Sequence, residues 1–254
     1  MPEYKPAYAN SHALVIGIDY YVNDRDLKTA VRGAEAVGAR LSVLGFAVER
    51  RLDREATRDA VLAWFTEVAD QTGPDDRVFV YFAGHAMSRR AVRGVPPVGY
   101  LKLYNTLTYS NALSLEDLLG EARFIPAKHV FFALDTCFSG LPVPQARPAL
   151  PEDARPVADL LRAPATEALT AGQAGEHVGD RLRGSDYAPF THFLLAGLEG
   201  RAARPDGVVT SDALAAYVVG AMRARRRVHQ TPAFYRKGSP EGGVVGAMVF
   251  YPPA

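Results

Sequence analysis

Three runs of apolar residues, each without alternating polar positions, constrain the fold of this chain more than any other feature. They lie at 12–18 (HALVIGI), 77–83 (RVFVYFA) and 129–134 (HVFFAL). A strand with one solvent-facing side alternates apolar and polar residues, whereas a strand covered on both sides is apolar throughout. The runs therefore predict inner strands of a sheet that other elements cover on both faces.

Segments with helical periodicity separate these strands. Apolar residues recur at helical spacing from 27 to 44, and Gly45 follows as a stop signal. A second helix opens on Asp53, after a short strand at 46–50, and a third is capped by Ser114. The alternation of strands and helices predicts an α/β fold with three layers, in which helices lie on both faces of a mostly parallel sheet.

The second half of the chain continues the same sheet after an interruption. Residues 141–164 contain six prolines and no glycine, which is typical of an exposed, semi-extended connection. A strand at 166–172, helices at 188–200 and 211–227, and a final strand at 242–251 follow. We therefore expect a single domain over residues 1–254, with six strands in one sheet.

Composition and charge argue against several classes of function. The 254 residues carry 29 basic and 28 acidic side chains, so no charge excess favours nucleic acid or a membrane surface as a partner. No apolar stretch reaches the ~18–20 residues of a membrane span. The single cysteine excludes an internal disulfide, and the default setting for such a chain is a reducing cytoplasm. The histidines lack the spacing of metal ligands, so we expect no metal or other cofactor.

Cys137 and His85 each follow one of the buried strands. In open parallel sheets, ligands bind beyond the carboxyl ends of the strands, so both residues are expected at the edge where sites form. A lone cysteine is more often a small buried hydrophobe, and a lone histidine is more often structural. Together at one edge, however, a thiol and an imidazole form the pair that nucleophilic catalysis by cysteine requires.

The motifs around these two residues resemble those of a known family. His85 lies in YFAGHA and Cys137 in DTCFSG, and 52 residues separate them, close to the ~50 typical of caspases. Together they resemble the paired motifs of the caspase family, in its metacaspase and paracaspase branch. The resemblance extends over nearly the whole chain, through HALVIGIDYY, GYLKLYNT, ALTAGQAGE, PFTHFLLAGLEG, DGVVTSDALAAYV and QTP. It implies a caspase-like α-β-α sandwich with a p20-like part (1–140), an exposed processing-type loop (141–164) and a p10-like part (165–254).

The resemblance implies a role for each residue of the candidate site. Cys137 would be the nucleophile that attacks a peptide carbonyl, and His85 would polarise the thiol and protonate the leaving amine. The main-chain N–H groups of Cys137 and Ala86 would bind the oxyanion. The family usually has glycine at the position of Ala86, and alanine tolerates a positive φ poorly.

Acidic residues indicate the substrate preference. Asp135 resembles the S1 acid of the metacaspase branch, and Glu176 resembles a further S1 acid of paracaspases. A carboxylate there favours arginine or lysine at P1 and repels an acidic side chain. The alternative for Asp135 is a structural carboxylate that caps N–H groups near the nucleophile, and the alternative for Glu176 is a plain surface glutamate.

One S1 acid of the family is missing from this sequence. The first helix has Arg32 and Gly33 where the family often has a third carboxylate. The loop before that helix contains three acidic residues that could compensate, namely Asp19, Asp24 and Asp26.

The resemblance also bears on calcium and on processing. Calcium-dependent metacaspases have an acidic cluster between the two motifs, whereas residues 77–115 of this chain include no Asp or Glu. Because Ca²⁺ needs several oxygen ligands, we expect an enzyme that works without calcium. Family members are often cut in the loop after the Cys strand. Of the three arginines in 141–164, only Arg162 is not followed by proline, so Arg162–Ala163 is the predicted autoprocessing site.

The leading interpretation is a bacterial caspase-like cysteine endopeptidase that cleaves a protein or peptide substrate after Arg or Lys with a Cys137–His85 dyad. Resemblance to small bacterial members implies a role in regulated cell death or defence, with any regulatory partner on a separate polypeptide. Two alternatives stay open. One is a caspase-fold scaffold protein without turnover, which Ala86 favours, and the other is an Asp-specific caspase.

Overall fold

The computed structural model describes residues 8–89, 92, 97–137, 155–172, 182, 184–225, 230–237 and 245–253, and for Cys137 it describes the main chain only. Glu176 and the first part of the predicted connection, up to residue 154, lie outside these ranges. None of the helices in the described ranges is long and apolar enough to cross a membrane.

The predicted central sheet is confirmed. In chain order the strands are β1 (Ser11–Gly17), β2 (Ala47–Leu52), β3 (Arg77–Ala83), β4 (Ala86–Arg89), β5 (Val98–Leu101), β6 (Leu113–Ser114), β7 (His129–Cys137), β8 (Ala165–Gly172), β9 (Val209–Thr210), β10 (Ala233–Arg236) and β11 (Val249–Phe250). The six strands of the central sheet lie in the order β10-β8-β7-β3-β1-β2, and all neighbours are parallel except β8 and β10. The other strands form a three-stranded sheet, β4-β5-β6, and a two-stranded sheet, β9-β11.

Helices cover both faces of the central sheet, as predicted. Successive residues of an inner strand point to opposite faces, so Phe79 and Phe131 pack in one apolar core while Val80 and Phe132 pack in the other. The second core includes Trp64, which is 2% exposed. The helices are α1 (Ala30–Val43), α2 (Arg58–Gln71), α3 (Leu115–Glu121), α4 (Val157–Leu160), α5 (Pro189–Ala196) and α6 (Ser211–Arg223). Side chains of α1, α5 and α6 fill the first core, and those of α2 and α3 fill the second.

The second helix begins later than the sequence predicts. Asp53 adopts a positive φ of 44° in a short 3₁₀ turn, and α2 starts at Arg58. The Asp53 carboxylate accepts hydrogen bonds from the main-chain N–H groups of Asp19 (2.8 Å) and Tyr20 (3.0 Å). Asp53 therefore holds the loop after β1, and the helix is capped instead by Thr57, whose hydroxyl accepts the Ala60 N–H.

The last strand of the central sheet also differs from the prediction. β11 contains only two residues and pairs with β9 outside the central sheet. The sixth strand is β10, which pairs antiparallel with β8 at the edge of the sheet. It follows Pro232, and its four residues, of which only Ala233 is buried, are too few to stand out as a strand in the sequence.

The described part of the Pro-rich connection is folded rather than extended and exposed. Residues 155–164 include α4, and Leu160 is fully buried. Leu160 and Leu161 pack with Tyr8, Val208 and Val249 in a third apolar cluster. The two leucines stabilise this segment because they bury apolar area that an extended connection would leave in water.

His129, at the start of β7, lies in a polar cluster at the amino-terminal edge of the sheet. Its side chain has no solvent exposure. Its Nε2–H donates to the Ala163 carbonyl at 3.0 Å, because a carbonyl can only accept, and its Nδ1 therefore accepts from the Tyr8 hydroxyl at 2.5 Å. The same hydroxyl accepts the Val249 N–H at 3.1 Å. A neutral imidazole therefore ties together three distant parts of the chain.

We expect His129 to make the folded state less stable at acidic pH. Burial lowers the pKa of His129 from 6.5 to about 4. The unfolded chain binds the proton first as the pH falls, so this stabilisation is complete above about pH 6.5 and is lost between about pH 6.5 and about pH 4. At about 1.4 kcal/mol per pH unit, the loss reaches about 3 kcal/mol.

The measurement is urea unfolding at about pH 7 and about pH 4.5, compared between the unmodified protein and His129→Gln. Glutamine retains one donor and one acceptor but does not titrate. The difference in unfolding free energy between the two pH values should be smaller in the variant, and equal differences in both proteins would contradict the assignment.

Candidate active site

The carboxyl-terminal ends of β3 and β7 bring the two candidate catalytic residues to the same edge of the sheet. In the parallel pairing of these strands, Ala83 lies opposite Asp135. His85 follows Ala83 by two positions and Cys137 follows Asp135 by two positions. Because paired strands lie about 5 Å apart, the two residues follow adjacent strand ends at this edge of the sheet.

Tyr21, in the loop after β1, packs against His85. Its hydroxyl accepts the His85 N–H at 2.8 Å, and the two ring centroids are 4.9 Å apart. A Cβ on Gly84 would come within 2.5 Å of that hydroxyl, so a residue with a side chain would displace Tyr21. Burial raises the pKa of Tyr21, which keeps the phenol neutral. The glycine of the YFAGHA motif thus admits the tyrosine that supports the histidine main chain.

The imidazole of His85 has a defined tautomer. Its Nε2 lies 2.9 Å from the main-chain oxygen of Arg25. A carbonyl oxygen can only accept, so Nε2 carries the hydrogen and Nδ1 has the free lone pair. Nδ1 is therefore the ring nitrogen that can take a proton from a thiol.

Asp135 is a buried carboxylate at the same edge. It is 5% exposed, and the Thr191 hydroxyl on α5 donates to its Oδ2. The Tyr81 hydroxyl lies 2.5 Å from the Thr191 hydroxyl. Burial and the charge of Asp135 raise the pKa of Tyr81 well above its ordinary value, so Tyr81 is a neutral donor. The carboxylate therefore ends a chain of hydrogen bonds that runs from β3 through α5.

Gly33 of α1 lies against this hydrogen-bond chain. A Cβ at position 33 would be 3.2 Å from the Tyr81 hydroxyl and 3.3 Å from the Thr191 methyl group. Tyr81 and Thr191 therefore occupy the space next to the position where the family often has its third acid. The neighbouring Arg32 turns to the surface, where it pairs with Asp186 at 3.2 Å.

Two acidic residues of the loop after β1 form contacts within the fold. Asp19 accepts the N–H of Ala30 at the start of α1 (2.8 Å). Asp24 forms an ion pair with Lys102. Both carboxylates therefore help to hold the loop, and a role of Asp19, Asp24 or Asp26 in the S1 site stays a prediction.

Ala86 adopts an ordinary main-chain conformation. It is the first residue of β4 and pairs with Leu101 of β5. Among the described residues other than glycine, only Asp53 has a positive φ. The alanine is therefore not strained, and the sequence-based objection to its N–H as an oxyanion donor does not apply.

Arg162, the predicted processing residue, lies just after α4. Its side chain is 78% exposed and pairs with Asp159 at 3.0 Å. The next residue, Ala163, is fixed through its carbonyl by His129. The side chain is accessible, but the peptide bond after it belongs to a packed segment.

Several residues of this site were not predicted from the sequence: Tyr21, Arg25, Tyr81, Lys102 and Thr191. They act through hydrogen bonds and an ion pair between segments far apart in the chain, for which the sequence carries no periodic signal. Their positions near the carboxyl ends of strands, or in loops that follow them, are the available hint. The described residues contain no group of three or more His, Cys, Asp or Glu side chains that could hold a metal ion.

Comparisons with known proteins cover most of the chain and indicate its family and fold. A family model described as Peptidase_C14, Caspase domain, matches residues 10–237. The fold is similar to the crystal structure of protein GSU0716 from Geobacter sulfurreducens, with a TM-score of 0.65 at 18% sequence identity over 91% of this chain and 94% of that chain. At this identity the likeness shows the fold alone. No curated protein matches the sequence significantly.

Proposed function

The chain belongs to the caspase domain family of cysteine peptidases, and we propose that it is an endopeptidase that cleaves after arginine or lysine with a Cys137–His85 dyad. The observation that carries this proposal is the register of β3 and β7, which gives both residues the same offset beyond Ala83 and Asp135. A general base must be within reach of the proton that it removes, and equal offsets beyond two adjacent strands support such a proximity.

The proposed reaction begins with transfer of the Cys137 thiol proton to Nδ1 of His85. The sulfur then attacks the substrate carbonyl, and the main-chain N–H groups of Cys137 and Ala86 stabilise the oxyanion. His85 gives the proton to the leaving amine, and a thioester to Cys137 remains. Water, activated by the same imidazole, hydrolyses the thioester. The bond from Nε2–H to the Arg25 carbonyl supports this role because it fixes the tautomer that both transfers need.

Asp135 supports the preference for a basic P1 side chain. Its carboxylate is buried two positions before the nucleophile, where a guanidinium or ammonium group could form a charge-assisted hydrogen bond. Donation by Thr191 favours the ionised form of a carboxylate. A P1 aspartate would instead meet a like charge in a site of low dielectric.

The substrate in this proposal is a protein or peptide. A regulatory partner on another polypeptide, a role in bacterial defence and a cytoplasmic location are further proposals that follow from the family resemblance. Autoprocessing after Arg162 stays a prediction, with one structural requirement: the segment that contains Leu160 and Ala163 must leave its packed position before the bond can enter an active site.

A panel of fluorogenic peptides with Arg, Lys or Asp at P1 tests the proposed function. We expect cleavage after Arg and Lys, little cleavage after Asp, and the same rates with calcium or with a chelator, because residues 77–115 supply no carboxylate ligand. Cys137→Ala is the control for contaminating proteases.

Labelling by an arginyl or lysyl chloromethyl ketone gives a second measurement. The intact mass should increase by one inhibitor adduct in the protein with the natural sequence and stay unchanged in Cys137→Ala. Unchanged mass and no cleavage of any peptide would favour a scaffold protein. Cleavage after Asp alone would identify an Asp-specific enzyme. A rate that collapses in chelator would contradict calcium independence.

A further inference from the structure

The loop between β1 and α1 (residues 18–29), called the β1–α1 loop below, supplies the carbonyl that orients His85. Its base is fixed by Asp53, which accepts the N–H groups of Asp19 and Tyr20, and by the bond from the Leu27 N–H to the Asp19 carbonyl (2.8 Å). These bonds fix residues near both ends of the loop. None of them involves Arg25, so the position of Arg25 depends on other contacts.

Lys102, just after β5, connects the outer part of this loop to His85 itself. Its main-chain N–H donates to the His85 carbonyl at 2.9 Å. Its ammonium group forms an ion pair with Asp24, and the other oxygen of that carboxylate accepts the Arg25 N–H at 2.7 Å. Because the Arg25 carbonyl accepts from His85 Nε2, the contacts form a closed ring through four residues.

The ion pair in this ring is partly shielded from water. The Lys102 side chain is 15% exposed and that of Asp24 is 29% exposed. Partial burial opposes ionisation of Asp24, but the hydrogen bonds from Lys102 and the Arg25 N–H outweigh it and lower the pKa of Asp24. Asp24 is therefore a carboxylate at neutral pH and can pair with the Lys102 ammonium group.

We propose that Lys102 and Asp24 are positioning residues of the active site, which hold the Arg25 carbonyl where it fixes the orientation and the tautomer of His85. This inference rests on the proposed function, in which His85 takes the proton of Cys137. In that reaction the pair acts through the Arg25 carbonyl and is itself neither the nucleophile nor a donor or acceptor of the transferred proton. Its loss should let the imidazole rotate, with little effect on the fold, because the base of the β1–α1 loop stays bonded to Asp53.

Two conservative substitutions test the pair. Lys102→Met removes the ammonium group and keeps an unbranched side chain, and Asp24→Asn removes the charge and keeps the acceptor for the Arg25 N–H. Because a small displacement of a catalytic group costs up to ~10²-fold, we expect each variant to lower kcat about 10-fold while KM stays within about twofold. Because the two residues act as one unit, kcat of the double variant should equal that of the slower single variant. Lys102→Arg, which can still pair with Asp24, should restore most of the rate.

Alkylation of the thiol gives a readout that needs no substrate. Cys137 is the only cysteine, so the mass added by iodoacetamide reports on it alone. The rate of alkylation depends on the thiolate, which a positioned imidazole favours. Lys102→Met and Asp24→Asn should react about 10-fold more slowly at about pH 7 than the unmodified protein.

Lys128→Met is the matched control. Lys128 forms a comparable ion pair with Asp75 at 2.6 Å, and its ammonium side chain is 19% exposed. It precedes β7, at the opposite end of the strand from Cys137. This variant should keep the alkylation rate and kcat of the unmodified protein, and the melting temperatures of all variants should agree within about 4 °C.

The outcomes separate this inference from the proposed function. Fast alkylation that Lys102→Met and Asp24→Asn leave unchanged would overturn the positioning role, whether or not peptides are cleaved. An equal loss in Lys128→Met would overturn it as well. Fast alkylation that these two variants slow, in a protein that cleaves no peptide, would support the positioning role and contradict the protease proposal.

Discussion

Replacement of His85 by alanine is expected to lower kcat/KM for an arginyl peptide at least ~10³-fold. General base catalysis contributes roughly 10²- to 10⁴-fold, and the same imidazole also protonates the leaving amine. Cys137→Ala should remove activity to the level of the control reaction. The double variant should be no worse than the more damaged single variant, since a nucleophile and its base act as one unit.

His12→Ala is the matched control for His85→Ala. His12 is on β1, the strand that pairs with β3. It lies at the amino-terminal end of β1, whereas the candidate site is at the carboxyl-terminal ends of the strands. Its replacement should leave kcat/KM within about threefold, provided that the thermal unfolding curve remains cooperative. If His85→Ala retained activity within about 10-fold of the unmodified protein, another group would have to be the base, and the register of β3 and β7 would have no catalytic meaning.

The inner strands of the sheet could be predicted because burial on both faces leaves a mark in the local sequence. Phe79 and Val80 are adjacent, point to opposite cores and are both apolar. The same logic located the carboxyl ends of β3 and β7, and with them His85 and Cys137. The inner strands and the residues at their ends could therefore be predicted from short stretches of sequence.

The elements that the sequence did not reveal are those that depend on distant partners. β10 contains only four residues, and its pairing with β8 rather than its own composition makes it a strand. α4 forms in a Pro-rich segment because Leu160 packs against Val208 and Val249. In both cases a tertiary contact overrides a weak local preference.

The contacts that hold the candidate site also join residues that are far apart in the chain. Lys102 and Asp24 are 78 positions apart, and Thr191 and Asp135 are 56 positions apart. Neither pair has a spacing that periodicity could detect. The acidic residues of the β1–α1 loop were predicted as S1 candidates because the sequence shows their charge. That Lys102 pairs with Asp24 can be seen only in the folded structure.

The second large effect is expected for Asp135→Asn, measured as the preference for arginine over citrulline at P1. Citrulline has nearly the shape of arginine but no charge. Loss of one partner of a buried charge pair costs about 2–5 kcal/mol, so kcat/KM for the arginyl peptide should fall roughly 30- to 5,000-fold. The citrullyl peptide should lose about 10-fold or less, because the asparagine still offers an acceptor to its neutral side chain.

The environment of Asp135 explains why asparagine is a fair test. The Thr191 hydroxyl donates to Oδ2, and an amide oxygen can accept that bond, so the chain from Tyr81 through Thr191 remains satisfied. Asp186→Asn is the control for a change in net charge. Asp186 pairs with Arg32 at the surface and is 58% exposed, and a surface charge of this kind contributes less than about 1 kcal/mol.

The result that would remove Asp135 from the specificity site is an equal loss for the arginyl and citrullyl peptides. The carboxylate would then act only on the structure around the nucleophile, as the alternative interpretation of the sequence allows. An unchanged arginine preference in Asp135→Asn would have the same meaning. Preferential loss for arginine with Asp186→Asn unaffected would instead locate the recognition of the P1 charge at this buried carboxylate, because a long-range field would respond to both substitutions.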